Sequence, residues 1–264
     1  MTRDRPSEDV DASAVFRAAD PVVVLAYPYA GAELLQAALA ANPSLVCTSG
    51  TGTLSLCHSA LSAWREVEGR NAAPSALAIK SIRAFLGVMT TIVRARSGAS
   101  RWCEFAFTSP EVAEAFLVIF PEAKFICLHR AFPSVAAEGL LAYPWGLGDS
   151  PFWGFAGHHP GNNVATIAAY WAAFTEPLLD FEERHSERTA RVRYEDLVAD
   201  TGSVADAVFH FVGMNNERRL TGAIGRESPS VMSPVPTELL ARLPGPLRTR
   251  IADLNARLGY PVAD

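Results

Sequence analysis

Pro21-Val-Val-Val-Leu-Ala-Tyr-Pro-Tyr-Ala-Gly-Ala-Glu33 carries the first decision about the fold. Its first half, Pro21 to Ala26, is short, β-branched and bounded by proline on both sides, which reads as a buried strand. A tight turn follows. Residues Ala32 to Ala41 then place apolar side chains and alanines all round a helix that Asn42-Pro43 ends. Strand, glycine turn and helix in that order open an α/β sheet.

Outward from this unit the alternation continues. Leu45-Val-Cys47 is a second apolar run. It enters the small-residue loop Thr48-Ser-Gly-Thr-Gly-Thr53, and a helical stretch reaches to about Trp64. Helical patterning resumes at Lys80 to Arg96 and at Glu111 to Phe120. Lys124-Phe-Ile-Cys-Leu-His129 then reads as another buried strand. The segment from Tyr143 to Asn163 is dense in glycine, proline and aromatics with neither periodicity, which predicts a long irregular insertion of the kind that often forms a lid. A long helix from Val164 to His185 follows, then a strand at Ala190 to Tyr194. Helices near Ser203 to Val212 and Thr237 to Leu258 close the chain. The reading is a three-layer α/β fold with helices on both faces of a mainly parallel sheet, and ligands at the C-terminal strand ends.

The 264 residues are 49% hydrophobic and carry a formal charge of -5, enough apolar mass for a large core and no electrostatic reason to expect nucleic acid or an anionic membrane. The polar start MTRDRPSEDVDAS lacks the apolar stretch a signal peptide needs, so secretion is not expected. The longest apolar runs, such as Val22 to Ala26 and Ala113 to Phe120, fall far short of the ~20 residues of a spanning helix, so no membrane partner is expected. Cys47, Cys57, Cys103 and Cys127 lack metal-site spacing. A reduced, cytoplasmic setting and a small-molecule partner fit this composition, with no metal.

Several segments, in order, resemble the sulfotransferase family, which moves a sulfonate from 3′-phosphoadenosine 5′-phosphosulfate to a hydroxyl or amine. The first is the strand-turn-helix at Val22 to Leu39. The second is Arg101-Trp-Cys-Glu104, and eighteen residues after Trp102 begins Phe120-Pro-Glu-Ala-Lys-Phe-Ile-Cys-Leu-His-Arg130. The last are Arg191-Val-Arg-Tyr-Glu-Asp-Leu-Val-Ala-Asp200 and Leu-Gly-Tyr-Pro at 258–261. The resemblance implies a P-loop-like sulfotransferase fold, with residues 1–15 a disordered tail and 16–264 one domain. It also implies that nucleotide as co-substrate. The 5′-phosphosulfate loop falls on Tyr29, Ala30, Gly31, Ala32 and Glu33, and the 3′-phosphate arginine on Arg130 with Glu138 beside it. Tyr194 falls near the adenine, with Arg193 and Glu195 on the site's floor, and Arg226 on a loop over the 3′-phosphate.

A turn between strand and helix aims backbone N–H groups and the positive helix end at one point, which suits a phosphate. Yet Tyr29 stands where the family has Lys or Arg, Ala30 and Ala32 lack its hydroxyls, and Phe105, Ala106 and Phe107 replace its Lys-Thr-Pro. A carboxylate at Glu33 either complements its own helix dipole or competes with the nucleotide. At ~4 Å in an intermediate dielectric, like charges repel by about 4 kcal/mol, close to three orders of magnitude in affinity. Arg130 is open to two uses as well, a bidentate phosphate contact or a salt bridge to Glu138 that fills the pocket from within.

For the acceptor's proton the candidates are Glu104 first and His58 second, and Trp145, Phe152, Trp153 and His158 are candidates for an aromatic acceptor pocket. Three functions remain open. They are sulfonate transfer to a small metabolite of secondary metabolism, a different reaction such as cyclisation or condensation in a cleft that has lost its donor, and non-catalytic binding.

Overall fold

A computed structural model describes residues 21–69, 73–216 and 240–260. Strand β1 (Val22–Leu25) is buried along its whole length. Val22 and Val24 face one apolar cluster and Val23 and Leu25 the other, so the strand is buried on both faces. A strand covered on both faces reads as a continuous apolar run rather than an alternating one. Helix α1 (Ala32–Ala40) follows, then β2 (Leu45–Ser49), α2 (Thr53–Glu68) and α3 (Ala76–Ser97). Next come β3 (Arg101–Ala106), α4 (Pro110–Ile119), β4 (Lys124–His129) and α5 (Phe132–Ala142). The segment between α5 and α7 (Asn163–Arg184) is irregular apart from the single turn α6 (Trp153–Ala156). Beyond α7 lie β5 (Thr189–Arg193), α8 (Tyr194–Ala199), α9 (Thr201–Phe211) and α10 (Gly245–Arg257).

The five strands form one parallel sheet in the order β2-β3-β1-β4-β5. Parallel neighbours need crossovers, and each crossover here carries helix, which covers the two faces and makes three layers. Helices α2, α3 and α4 cover one face and α1, α5 and α9 the other. Helix α7 serves both: Ile167, Tyr170 and Trp171 enter the first cluster, and Leu178 and Phe181 the second.

Three elements outside the irregular insertion escape the sequence reading. Strand β3 carries Glu104 in the middle of its apolar run, which hides it, and α5 opens on Phe132-Pro133 directly after β4; the short helix α8 also went unread, because it follows β5 without a break. One correction concerns α3. By length and composition it is apolar enough to cross a bilayer, with only 28% of its most apolar window buried. Counting uninterrupted apolar runs missed it because Lys80 and Arg83 interrupt the sequence but not the helix face. Ala78, Ile82 and Leu86 bury one stripe, while Leu77, Phe85, Val88 and Ile92 stay exposed on another.

Candidate functional site

The C-terminal ends of β1 and β4 meet at Arg130. Its backbone is fixed from two sides. The Tyr27 hydroxyl donates to the Arg130 carbonyl at 3.1 Å and accepts from its N–H at 3.1 Å, while Trp171 Nε1 donates to the same carbonyl at 2.9 Å. Burial pushes the Tyr27 hydroxyl up to about 12, so it remains protonated and able to donate. Arg130 Nη1 donates to the Tyr29 carbonyl at 2.9 Å and to Glu138 Oε2, and the guanidinium carbon lies 4.1 Å from the centre of the Tyr194 ring. Arg130 is 3% exposed.

The turn after β1 is shaped around that arrangement. Gly31 has φ +87°, and a Cβ there would stand 2.2 Å from Cδ2 of Tyr194, so the position needs glycine for conformation and for space. Tyr29 sits at φ 70°, a left-handed conformation that a non-glycine residue adopts at a cost, and its ring stacks on Phe152 with centroids 5.4 Å apart. Burial first, and then Tyr143, raise the Tyr29 hydroxyl well above the ordinary tyrosine range, so no charge arises where a cation would serve a sulfonate. Ala30 and Ala32 are buried, whereas Glu33 is exposed at the start of α1. The acid that enters the site is therefore Glu138, one and a half turns into α5, and not Glu33.

Around the β5 exit, Arg193 is engaged elsewhere. It makes two bonds of 2.7 Å to Asp196 and one of 2.9 Å to the Gly259 carbonyl. Glu195 Oε1 accepts from the Ala131 N–H at 3.1 Å and ties α8 to the β4 exit, and its other oxygen is buried without a partner. Arg226 lies outside the described residues.

A second constellation forms where β2 and β3 end. Glu104 is 2% exposed and accepts from Thr48 Oγ1 at 2.5 Å, the Thr51 N–H at 3.0 Å and Thr51 Oγ1 at 2.7 Å. Trp102 Nε1 donates to Thr48 Oγ1 at 2.8 Å and orients that hydroxyl. The glycines of the Thr48-to-Thr53 loop, Gly50 and Gly52, take left-handed conformations with φ 67° and 71°, which lets the loop curl over the carboxylate. Beside it is a cavity of about 160 Å³ lined by this loop, the start of α2, Glu104 and residues 105–108. Thr48 and Thr51 were not singled out from the sequence as the holders of Glu104. The signal was a threonine-rich loop facing an acid on a strand whose pairing the sequence does not show.

The remaining candidates do not converge. His58 is exposed on α2. Trp145 is 99% and Trp153 63% exposed, and His158 is exposed, whereas Phe152 is wholly buried among Tyr29, Tyr143 and Tyr170. The aromatic insertion thus anchors itself on the Tyr29 turn through Phe152 and turns its tryptophans outward. Among the described residues, no three His, Cys, Asp or Glu side chains cluster as a metal site.

A model described as the sulfotransferase family matches residues 21–218. Solved structures of similar fold include the sulfotransferase domain from the curacin biosynthetic pathway. It has a TM-score of 0.61 at 19% identity, over 93% of this chain and 99% of that one. The sulfotransferase domain of a Synechococcus olefin synthase gives 0.55 at 19% identity, over 93% and 96%. A sulfotransferase from Alicyclobacillus acidocaldarius gives 0.51 at 15% identity, over 92% and 96%. At such identities the likeness speaks for the fold alone. No curated protein matches the chain.

Proposed function

Since this chain belongs to the sulfotransferase family, we propose that it has closed the family's nucleotide site with its own side chains and acts on a small molecule without 3′-phosphoadenosine 5′-phosphosulfate. One observation carries this reading: the Arg130 guanidinium is already held by Glu138 and the Tyr29 carbonyl beneath the Tyr194 ring. A phosphate arriving there must displace a carboxylate that then remains beside it. At ~4 Å and an effective dielectric near 20 that repulsion is about 4 kcal/mol, roughly a thousandfold in affinity. The turn offers no compensation, because Tyr29 supplies no positive charge and Ala30 and Ala32 no hydroxyls. The chemistry moves to the neighbouring cavity, where Glu104 is the acid-base group in a cyclisation or condensation of a small polar substrate. Thr48 and Thr51 fix its carboxylate in one orientation. Both sites lie at the C-terminal edge of the sheet, where open α/β sheets bind ligands.

A second reading, sulfonate transfer from the nucleotide, is favoured by a different feature of the same geometry. Arg130 and the Gly31 turn do face one another, and the Glu138 side chain is 37% exposed. Calorimetric titration with adenosine 3′,5′-bisphosphate separates the two. The closed site predicts no binding to the wild type at millimolar nucleotide and measurable binding to Glu138→Ser. Micromolar binding by the wild type, unimproved by Glu138→Ser, removes the first reading and leaves the second.

A further inference from the structure

The cavity beside Glu104 has one charged wall and no counter-ion. None of its lining residues is Lys, Arg or His, and no cation among the described residues lies within ion-pair distance of this carboxylate. All three of its hydrogen-bond donors, Thr48 Oγ1, the Thr51 N–H and Thr51 Oγ1, are neutral. Burying a carboxylate without a positive partner is costly, which is why buried charges are generally paired. The N-terminal end of α2, which begins after Gly52 at the same cavity, contributes about half a unit of positive charge. Neutral donors and one helix end are thus all that faces this carboxyl group at the wall of a space open to a ligand.

We propose that this cavity binds a ligand through a protonated amine, with the ammonium group against the Glu104 carboxylate and the carbon skeleton toward Leu54 and Phe107. Phe107 is 49% exposed at the rim and supplies the apolar and π surface on which an alkylammonium rests. An anionic head group finds no cation here, which sets this site apart from the nucleotide cradle at Arg130. An ammonium also fits the donor-acceptor balance, since it brings only donors to a group that only accepts. The inference rests on reading this cavity as the substrate site. It does not depend on whether the nucleotide binds, so the bisphosphate titration and the test below can fail separately.

The probe is n-butylamine at millimolar concentration near pH 7, compared with n-butanol and butyrate, followed by amide NMR of the full chain. Butylamine is expected to shift the amides of Gly50, Thr51, Gly52 and Thr53 saturably, at least tenfold more tightly than butanol, with butyrate silent. Glu104→Gln abolishes the preference for amine over alcohol. Should that variant fail to fold, Thr108→Lys, at a half-buried position of the lining, places an ammonium in the cavity and is expected to exclude butylamine while the fold stands. Equal shifts with butanol, shifts centred on other residues, or undiminished amine binding in either folded variant overturn the proposal.

Discussion

Gly31 shows how narrowly single residues are specified at the β1 exit. Any side chain there meets two obstacles, a φ of +87° and the Tyr194 ring 2.2 Å from the Cβ position. The first costs roughly 1–2 kcal/mol and the overlap a further 1–3 kcal/mol. Gly31→Ala should therefore lower unfolding stability by about 2–5 kcal/mol in urea titration, whereas Gly50→Ala, where the same Cβ meets nothing within 4 Å, should cost only the conformational share. Equal losses at the two positions would show that the Tyr194 contact contributes nothing. Arg130 makes the complementary point. Its candidacy for a phosphate is implied by the family resemblance and its salt bridge to Glu138 is one of the two uses the sequence leaves open; in the structure Tyr27 and Trp171 hold its backbone while the guanidinium meets Glu138.

Among the elements, α3 presents two apolar stripes with different consequences. Leu86 lies in the core at 1% exposure, and Phe85, its neighbour in sequence, is 61% exposed. Leu86→Ala is expected to cost about 2–5 kcal/mol, and Phe85→Ser to stay within about 0.5 kcal/mol, by chemical denaturation of each variant. A comparable loss for Phe85→Ser would mean that its face is covered in solution. Periodicity found most of α3 but not which stripe was inside, because both stripes are apolar. Strand β3 was missed for a related reason. Glu104 interrupts an otherwise buried run, and the donors that make its burial tolerable, Thr48 and Thr51, come from a loop more than fifty residues away.

On the scale of the whole molecule, β4, α7 and β5 are joined by a buried ionic cluster. His129 Nε2 lies 2.6 Å from Glu182 Oε1, and Arg191 donates to Glu182 Oε2 at 2.7 Å. Burial alone would raise the Glu182 carboxyl, but the His129 and Arg191 contacts outweigh it and hold it below the usual carboxylate range. A depressed native value means stability that is fully present above the unfolded value of about 4.3 and lost as pH falls through the folded one. Wild-type stability should thus fall on acidification below about pH 5, and Glu182→Gln should show a shallower acid limb along with a lower plateau at pH 7. An unchanged acid limb would remove Glu182 from the acid response.

Four of the five strands, the glycine turn, most helices and the family likeness were determined by the sequence itself, because local periodicity, proline and glycine act over a few residues. The parallel order of the strands, the closing of Arg130 by Glu138 and Tyr194, the outward turn of Trp145 and the cradle of threonines around Glu104 were decided only by tertiary structure. Each depends on which strand ends become neighbours, and hence on the burial and hydrogen bonding of groups far apart in the chain, which no local pattern encodes.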